Sequence, residues 1–148
     1  MGSDSDLPVV RKAADTLNDF GVPFEVHVFS AHRTPDEARN FATSARDAGF
    51  GVIIAAAGMA GTTLPVIGIP MKSGNLGGID ALLSTVQMPS GIPVATVAID
   101  GATNAALLSV EILAVSDDTL AAKLDAKRRA DASRVLEKNA AVEQEFNH

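Results

Sequence analysis

Three observations predict an α/β fold built on a parallel sheet for this 148-residue chain. Short, continuously apolar runs recur at GVIIAAAG (51–58), LPVIGIP (64–70) and IPVATVAI (92–99), the look of strands covered on both faces. Segments with helical spacing lie around and between these runs, and such alternation belongs to layered α/β architecture. The length suits one domain with one real core, so residues 1–148 are expected to fold as a single unit.

Taken in order, Val10, Ala13, Ala14 and Leu17 share one face over residues 8–20, with Pro8 in the first turn and Gly21 as the stop, which predicts a helix. In VPFEVHVF (22–29), Phe24, Val26 and Val28 alternate with Glu25, His27 and Phe29, which predicts a strand whose His27 is a satisfied or solvated side chain. TPDE (34–37) is a helix start: Thr34 can cap, Pro35 fits the first position, and Glu37 completes a capping box. That helix continues through Ala38, Phe41, Ala42 and Ala45 toward Gly49. GGIDALLSTVQM predicts a further helix closed by the turn PSG, and TNAALLSVEIL a buried one. Residues 117–146 form a long C-terminal helix whose sparse stripe of Leu120, Leu124, Val135 and Leu136 is expected to rest on a neighbouring subunit.

Composition excludes several function classes. A net charge of −6 argues against a nucleic-acid or anionic-membrane surface. The tail cations Lys123, Lys127, Arg128, Arg129, Arg134 and Lys138 alternate with acids, as on a solvated helix face. Without cysteine there is neither a disulfide framework nor a thiolate metal site, and three scattered histidines do not suggest zinc. No apolar run approaches the roughly 20 residues that span a bilayer, and MGSDSDLP lacks the basic and apolar regions of a leader, so a cytoplasmic location is expected.

Two places look incomplete. Parallel neighbours need a crossover of about a dozen residues or more, usually a helix. Only GMAGTT separates Ala57 from Leu64. Either these runs form a hairpin or a crossover segment is absent near Ala60 and Gly61, and the continuous apolar runs favour the second. GSDSD likewise has the form of a loop leading from a strand into a helix, with no strand ahead of it.

Two short motifs carry chemistry. GSDSDLP offers serine hydroxyls and main-chain amides at a helix start, where an anion such as phosphate is favoured. SAHR (30–33) stands at a second junction of strand and helix, the place where open α/β sheets collect ligands. Ser30 and Arg33 could complete a phosphate shell, and His32 is the group suited to proton transfer near neutral pH. The plainer alternatives are that Ser3, Ser5 and Asp6 only cap a helix and that His32 and Arg33 sit in a solvated loop.

Together MGSDSD, SAHRTPDE, VIIAAAGMA, TTLPVIGIPMKS, GGIDALLSTVQMPSGIPVATVAI and NAALL closely resemble the bacterial-type N5-carboxyaminoimidazole ribonucleotide mutase family of purine biosynthesis, in order from Met1 to about Leu113. The resemblance implies a three-layer α/β/α sandwich of flavodoxin-like form, a homo-octamer, and a reaction without metal or organic cofactor that moves a carboxylate from the exocyclic nitrogen of the ribonucleotide to ring carbon C4. It makes His32 the general acid and base. Ser3, Asp6 and Arg33 become substrate-binding positions, with Ser5 and Ser30 assisting at the phosphate and Asp6 at the ribose. Ala57, Gly58, Ser73 and Leu76 would line the aminoimidazole and carboxylate end. Members carry a strand before MGSDSD and a His-Leu-Pro-Gly segment between AGMA and TTLP, and both are missing here. Two competing readings are a carboxylase using free CO2 and a non-catalytic flavodoxin-like phosphate-binding module.

Overall fold

The computed structural model describes residues 1–56, 62–72 and 76–147. After a 3-10 turn at Asp4–Asp6, the elements are α1 (Leu7–Phe20), α2 (Pro35–Ser44), β1 (Ile53–Ala55), β2 (Val66–Gly68), α3 (Ile79–Val86), β3 (Ala95–Thr96), α4 (Ala102–Ala114) and α5 (Asp118–Phe146). The strands make one parallel sheet in the order β1-β2-β3, with Ile53 opposite Val66 and Ile67 opposite Ala95. Parallel pairing of β1 with β2 rules out the hairpin, although only residues 56–65 connect them. The expected break at Ala60 and Gly61 lies outside the described residues.

Alternation along the strands splits the core between two faces. Ile53, Ala55 and Val66 bury with Ala45 and Leu64 against Phe41 of α2 and Phe50 beyond it. Ile67 and Ile69 turn the other way, onto Ala13, Leu17 and Phe20 of α1 and Ala105, Ala106 and Val110 of α4. Helices therefore cover both sides of the sheet, as the sequence pattern predicts. Each fully buried large side chain here contributes on the order of 1.5–3 kcal/mol. A Cβ on Gly68 would fall 2.4 Å from Cγ2 of Thr85, so glycine is what lets α3 lie close on β2. Helix α1 stops at Gly21, whose φ of 72° is left-handed, and Lys123 Nζ of α5 donates to the terminal Phe20 carbonyl at 2.6 Å.

Segment 22–29 departs from expectation, because it is not part of the sheet. Its main chain makes a single parallel bridge, in which the Met1 amino group donates to His27 O and Phe29 N–H donates to Met1 O, both at 2.9 Å. Alternating side chains encode which face is apolar, but a strand also requires a partner along its length. Phe24, Val26 and Val28 remain 40%, 45% and 50% exposed. On the other face the His27 ring stacks on Phe29 with centroids 5.1 Å apart, tilts against Phe41, and meets Glu25 Oε2 at 2.9 Å through Nε2. A groove of about 570 Å³ lies between this segment and Val52, Ile53 and Ile54 at the edge of the sheet.

Helix α2 ends at Ser44, earlier than Gly49. The hydroxyls of Thr43 and Ser44 bond back to the carbonyls of Arg39 and Asn40, which loosens the last turn. The chain then passes through turns to Gly49 at φ 91°, and Arg46 secures the approach to β2 through Thr63 Oγ1 and O, each at 2.8 Å.

The apolar helix α4 is covered by its own chain, since Ala102, Ala105, Ala106, Ser109 and Val110 are buried among α1, the sheet and α5. Helix α5 starts at Asp117, whose Oδ1 accepts from Thr119 N at 2.9 Å and Leu120 N at 3.1 Å. Its apolar stripe divides. Leu120 and Leu124 close the chain's own core, whereas Val135 and Leu136 are 65% and 68% exposed. Charges dress the outer surface: Arg128 pairs with Glu111, and hydrogen bonds from Lys127 and Arg134 hold the Asp131 carboxyl below its usual range.

Candidate functional site

The two motifs GSDSD and SAHR, separated by more than twenty residues in sequence, meet in space. The link is the main-chain bridge just described, which sets Met1 beside residues 27–29 and so delivers Gly2 and Ser3 next to Ser30. A second link comes from Arg33, whose Nη2 donates to Gly2 O at 3.4 Å while its Nε reaches Ser30 Oγ at 3.4 Å. The guanidinium therefore stands between the two loops with its remaining N–H groups exposed.

The first loop is more closed on itself than its sequence suggests. Ser3 caps the 3-10 turn, its Oγ accepting from Ser5 N at 3.3 Å and from Ser5 Oγ at 2.9 Å. Asp6 N–H donates to Ser3 O at 3.2 Å, so two amides expected at the disposal of an anion already have partners. The plainer reading is thus realised in part by Ser3, but not by Asp6, which makes no capping bond. Asp6 is near enough to the Met1 amino group to raise its pKa, against the larger opposing effect of burial.

In the second loop Ser30 is half-buried and its Oγ accepts Arg33 N–H at 3.2 Å, while His32 and Arg33 are exposed. Among the described residues the His32 ring makes no hydrogen bond, and it is presented to solvent on the turn Ala31–Arg33. Thr34 does not cap α2. Its hydroxyl turns back to the main chain of Ser30 instead, accepting from N at 2.8 Å and donating to O at 3.2 Å. Sequence reasoning missed this because a Thr-Pro pair carries the same signature for a cap.

Of the remaining candidates, Leu76 is 65% exposed just before α3. Ala57, Gly58 and Ser73 lie outside the described residues. Asp100, which sequence reasoning did not single out, holds the segment after β2: its Oδ1 accepts Lys72 N–H and its own N–H donates to Pro70 O, both at 2.9 Å. It does so at φ 56°, the one non-glycine with positive φ among the described residues.

The sequence pattern of the AIR carboxylase family matches residues 1–134. The chain belongs to that family. It is 53% identical over 145 residues to the N5-carboxyaminoimidazole ribonucleotide mutase of Pyrococcus horikoshii, covering 88% of this chain and 82% of that one. Because those 145 aligned positions span only 88% of a 148-residue chain, the archaeal relative carries residues with no counterpart here. The phosphoribosylaminoimidazole carboxylase of Saccharomyces cerevisiae is 52% identical over 134 residues, covering 84% of this chain and 24% of that one. In fold, the chain resembles the crystal structure of Treponema denticola PurE at a TM-score of 0.74 and 23% identity, covering 100% of this chain and 96% of that one.

Proposed function

We propose that this family member is an N5-carboxyaminoimidazole ribonucleotide mutase of purine biosynthesis, an isomerase. The observation that carries the reading is the likeness, at about half of all positions and over most of both chains, to archaeal and bacterial proteins bearing that name. The meeting of GSDSD and SAHR supports it, because it brings the loop that carries Ser3, Ser5 and Asp6 beside the loop that carries Ser30, His32 and Arg33.

In this reading Arg33 and the serines hold the 5′-phosphate, a dianion suited to the forked guanidinium, and Asp6 takes the ribose hydroxyls. His32 acts as acid and then base. Its imidazolium protonates the exocyclic nitrogen as the N–C bond to the carboxylate breaks, releasing CO2 within the site. Ring carbon C4 attacks the CO2 carbon, and the neutral imidazole removes the C4 proton, restoring the starting state. No net proton or electron is exchanged, so the step calls for neither a redox partner nor an organic cofactor. Ala57, Gly58, Ser73 and Leu76 are assigned to the aminoimidazole and carboxylate end.

The active assembly in this reading is a cytoplasmic homo-octamer. The exposed outer half of α5, with Val135, Leu136, Val142 and Phe146, supports self-association, as do Ile79, Leu83 and Val86 on α3. Among the described residues no helix is long and apolar enough to cross a membrane.

The second reading is a carboxylase acting on aminoimidazole ribonucleotide and free CO2, favoured by the 52% identity to the yeast carboxylase. Turnover of N5-carboxyaminoimidazole ribonucleotide with and without bicarbonate separates the two. Bicarbonate-independent conversion supports the mutase, and conversion only of the unmodified ribonucleotide with bicarbonate overturns it.

A further inference from the structure

We propose that Thr34 is a positioning residue for the phosphate-binding pair Ser30 and Arg33, acting through its hydroxyl; the inference rests on the reading of that pair given above. The hydroxyl of Thr34 uses both its accepting and donating capacity on one residue, taking the Ser30 N–H at 2.8 Å and giving its proton to the Ser30 carbonyl at 3.2 Å. The same carbonyl also receives Thr34 N–H at 2.7 Å. Both main-chain polar groups of Ser30 are thereby held from within the five-residue turn 30–34, although Ala31, His32 and Arg33 on it are exposed.

The consequence falls on the side chains that the turn carries. With its backbone held, Ser30 keeps Oγ toward Arg33, accepting main-chain N–H at 3.2 Å and Nε at 3.4 Å. The other arm of the guanidinium then falls at 3.4 Å from Gly2 O, on the first loop. Those two side-chain contacts are long, so they cannot themselves fix the loop. The shorter bonds to Thr34 do so, leaving the serine hydroxyl and the guanidinium edge oriented for a phosphate before it arrives. Preorganisation of this kind acts on binding, because it removes an ordering cost that the ligand would otherwise meet.

The test compares Thr34→Val, which keeps the shape and loses the hydroxyl, with Thr34→Ser, which keeps the hydroxyl. Affinity for inorganic phosphate is measured by titration calorimetry well below the melting temperature, and KM and kcat are measured for N5-carboxyaminoimidazole ribonucleotide. The expected result for Thr34→Val is a loss of about tenfold in phosphate affinity and a matching rise in KM, from two lost hydrogen bonds. Its kcat and the pH profile set by His32 stay unchanged, and Thr34→Ser restores binding to within about twofold. Should Thr34→Val fail to fold, Thr34→Ala against Thr34→Ser asks the same question. A Thr34→Val protein with unchanged phosphate affinity and KM overturns the proposal, as does an equal loss in Thr34→Ser, which would assign the effect to the γ-methyl group. Arg33→Ala is measured alongside: if it too leaves phosphate affinity unchanged, the phosphate reading of the loop fails and the proposal with it.

Discussion

The carbonyl of Met1 accepts the main-chain N–H of Phe29 at 2.9 Å, and this bond brings the loop after Met1 against the loop after Phe29. The relative placement of the motifs GSDSD and SAHR depends on that contact, together with its partner main-chain bond and the reach of the Arg33 side chain to Gly2 O. Its partner bond, from the Met1 amino group to His27 O, sets an ionisable group in a partly buried position.

That burial lowers the pKa of the Met1 amino group, with the Asp6 charge offsetting part of the effect. A lowered amine pKa means that the unfolded chain binds more protons between the folded value and the ordinary value of about 7.7–8.0, so stability rises with pH across that window and levels off above it. Acetylating the amino group removes the charge while keeping an N–H for His27 O. Melting temperatures recorded from pH 6 to 9 should slope upward for the free amine and lose that contribution after acetylation.

Replacing His32 with asparagine should lower kcat by at least about 100-fold while leaving the melting temperature unchanged. The side chain is exposed and makes no hydrogen bond among the described residues, so it has no packing role to lose. A collapse in melting temperature would make it structural, and full turnover would remove it from the acid and base role.

Arg33→Ala removes a charge-assisted contact, worth about 1.5–3 kcal/mol, and should raise KM and weaken phosphate binding by about ten- to hundredfold. The loss should shrink in high salt, because an exposed guanidinium is screened. Unchanged phosphate affinity would take Arg33 out of the site.

Asp100 combines a left-handed φ of 56° with a carboxylate that accepts Lys72 N–H at 2.9 Å. Asparagine tolerates that backbone and keeps an acceptor, whereas alanine loses both advantages. Asp100→Asn should therefore be close to neutral in chemical denaturation, and Asp100→Ala should cost about 1–3 kcal/mol.

Along α5, Leu124 and Leu136 should separate folding from assembly. Leu124→Ala cuts into a buried cluster and should cost about 2–4 kcal/mol by chemical denaturation. Leu136→Asp lies on a surface that is 68% exposed and should leave protomer folding intact while lowering the mass found by light scattering. An unchanged mass would free this surface of any role in assembly.

Much of the architecture is legible in the order of residues. Three continuously apolar runs gave parallel strands, because a strand buried on both faces needs no polar alternation, and Gly21 ended α1 where only a left-handed residue could. The residues of GSDSD and SAHR were likewise visible as chemistry-bearing types at element junctions. Tertiary structure alone decided the rest. Residues 22–29 alternate like a strand, yet beyond the bond from Val22 N–H to Leu17 O that closes α1, their main chain pairs with another segment among the described residues through one bridge to Met1, because local periodicity specifies a face and never a partner. Thr34 is equally able to cap α2 or to hold Ser30, and proximity of the Ser30 main chain settled the competition. Leu120 and Leu136 share one helix and one residue type. Only the reach of α4 and Phe20 determined that the first is core and the second surface, since burial depends on what lies across the interface and not on the residue itself.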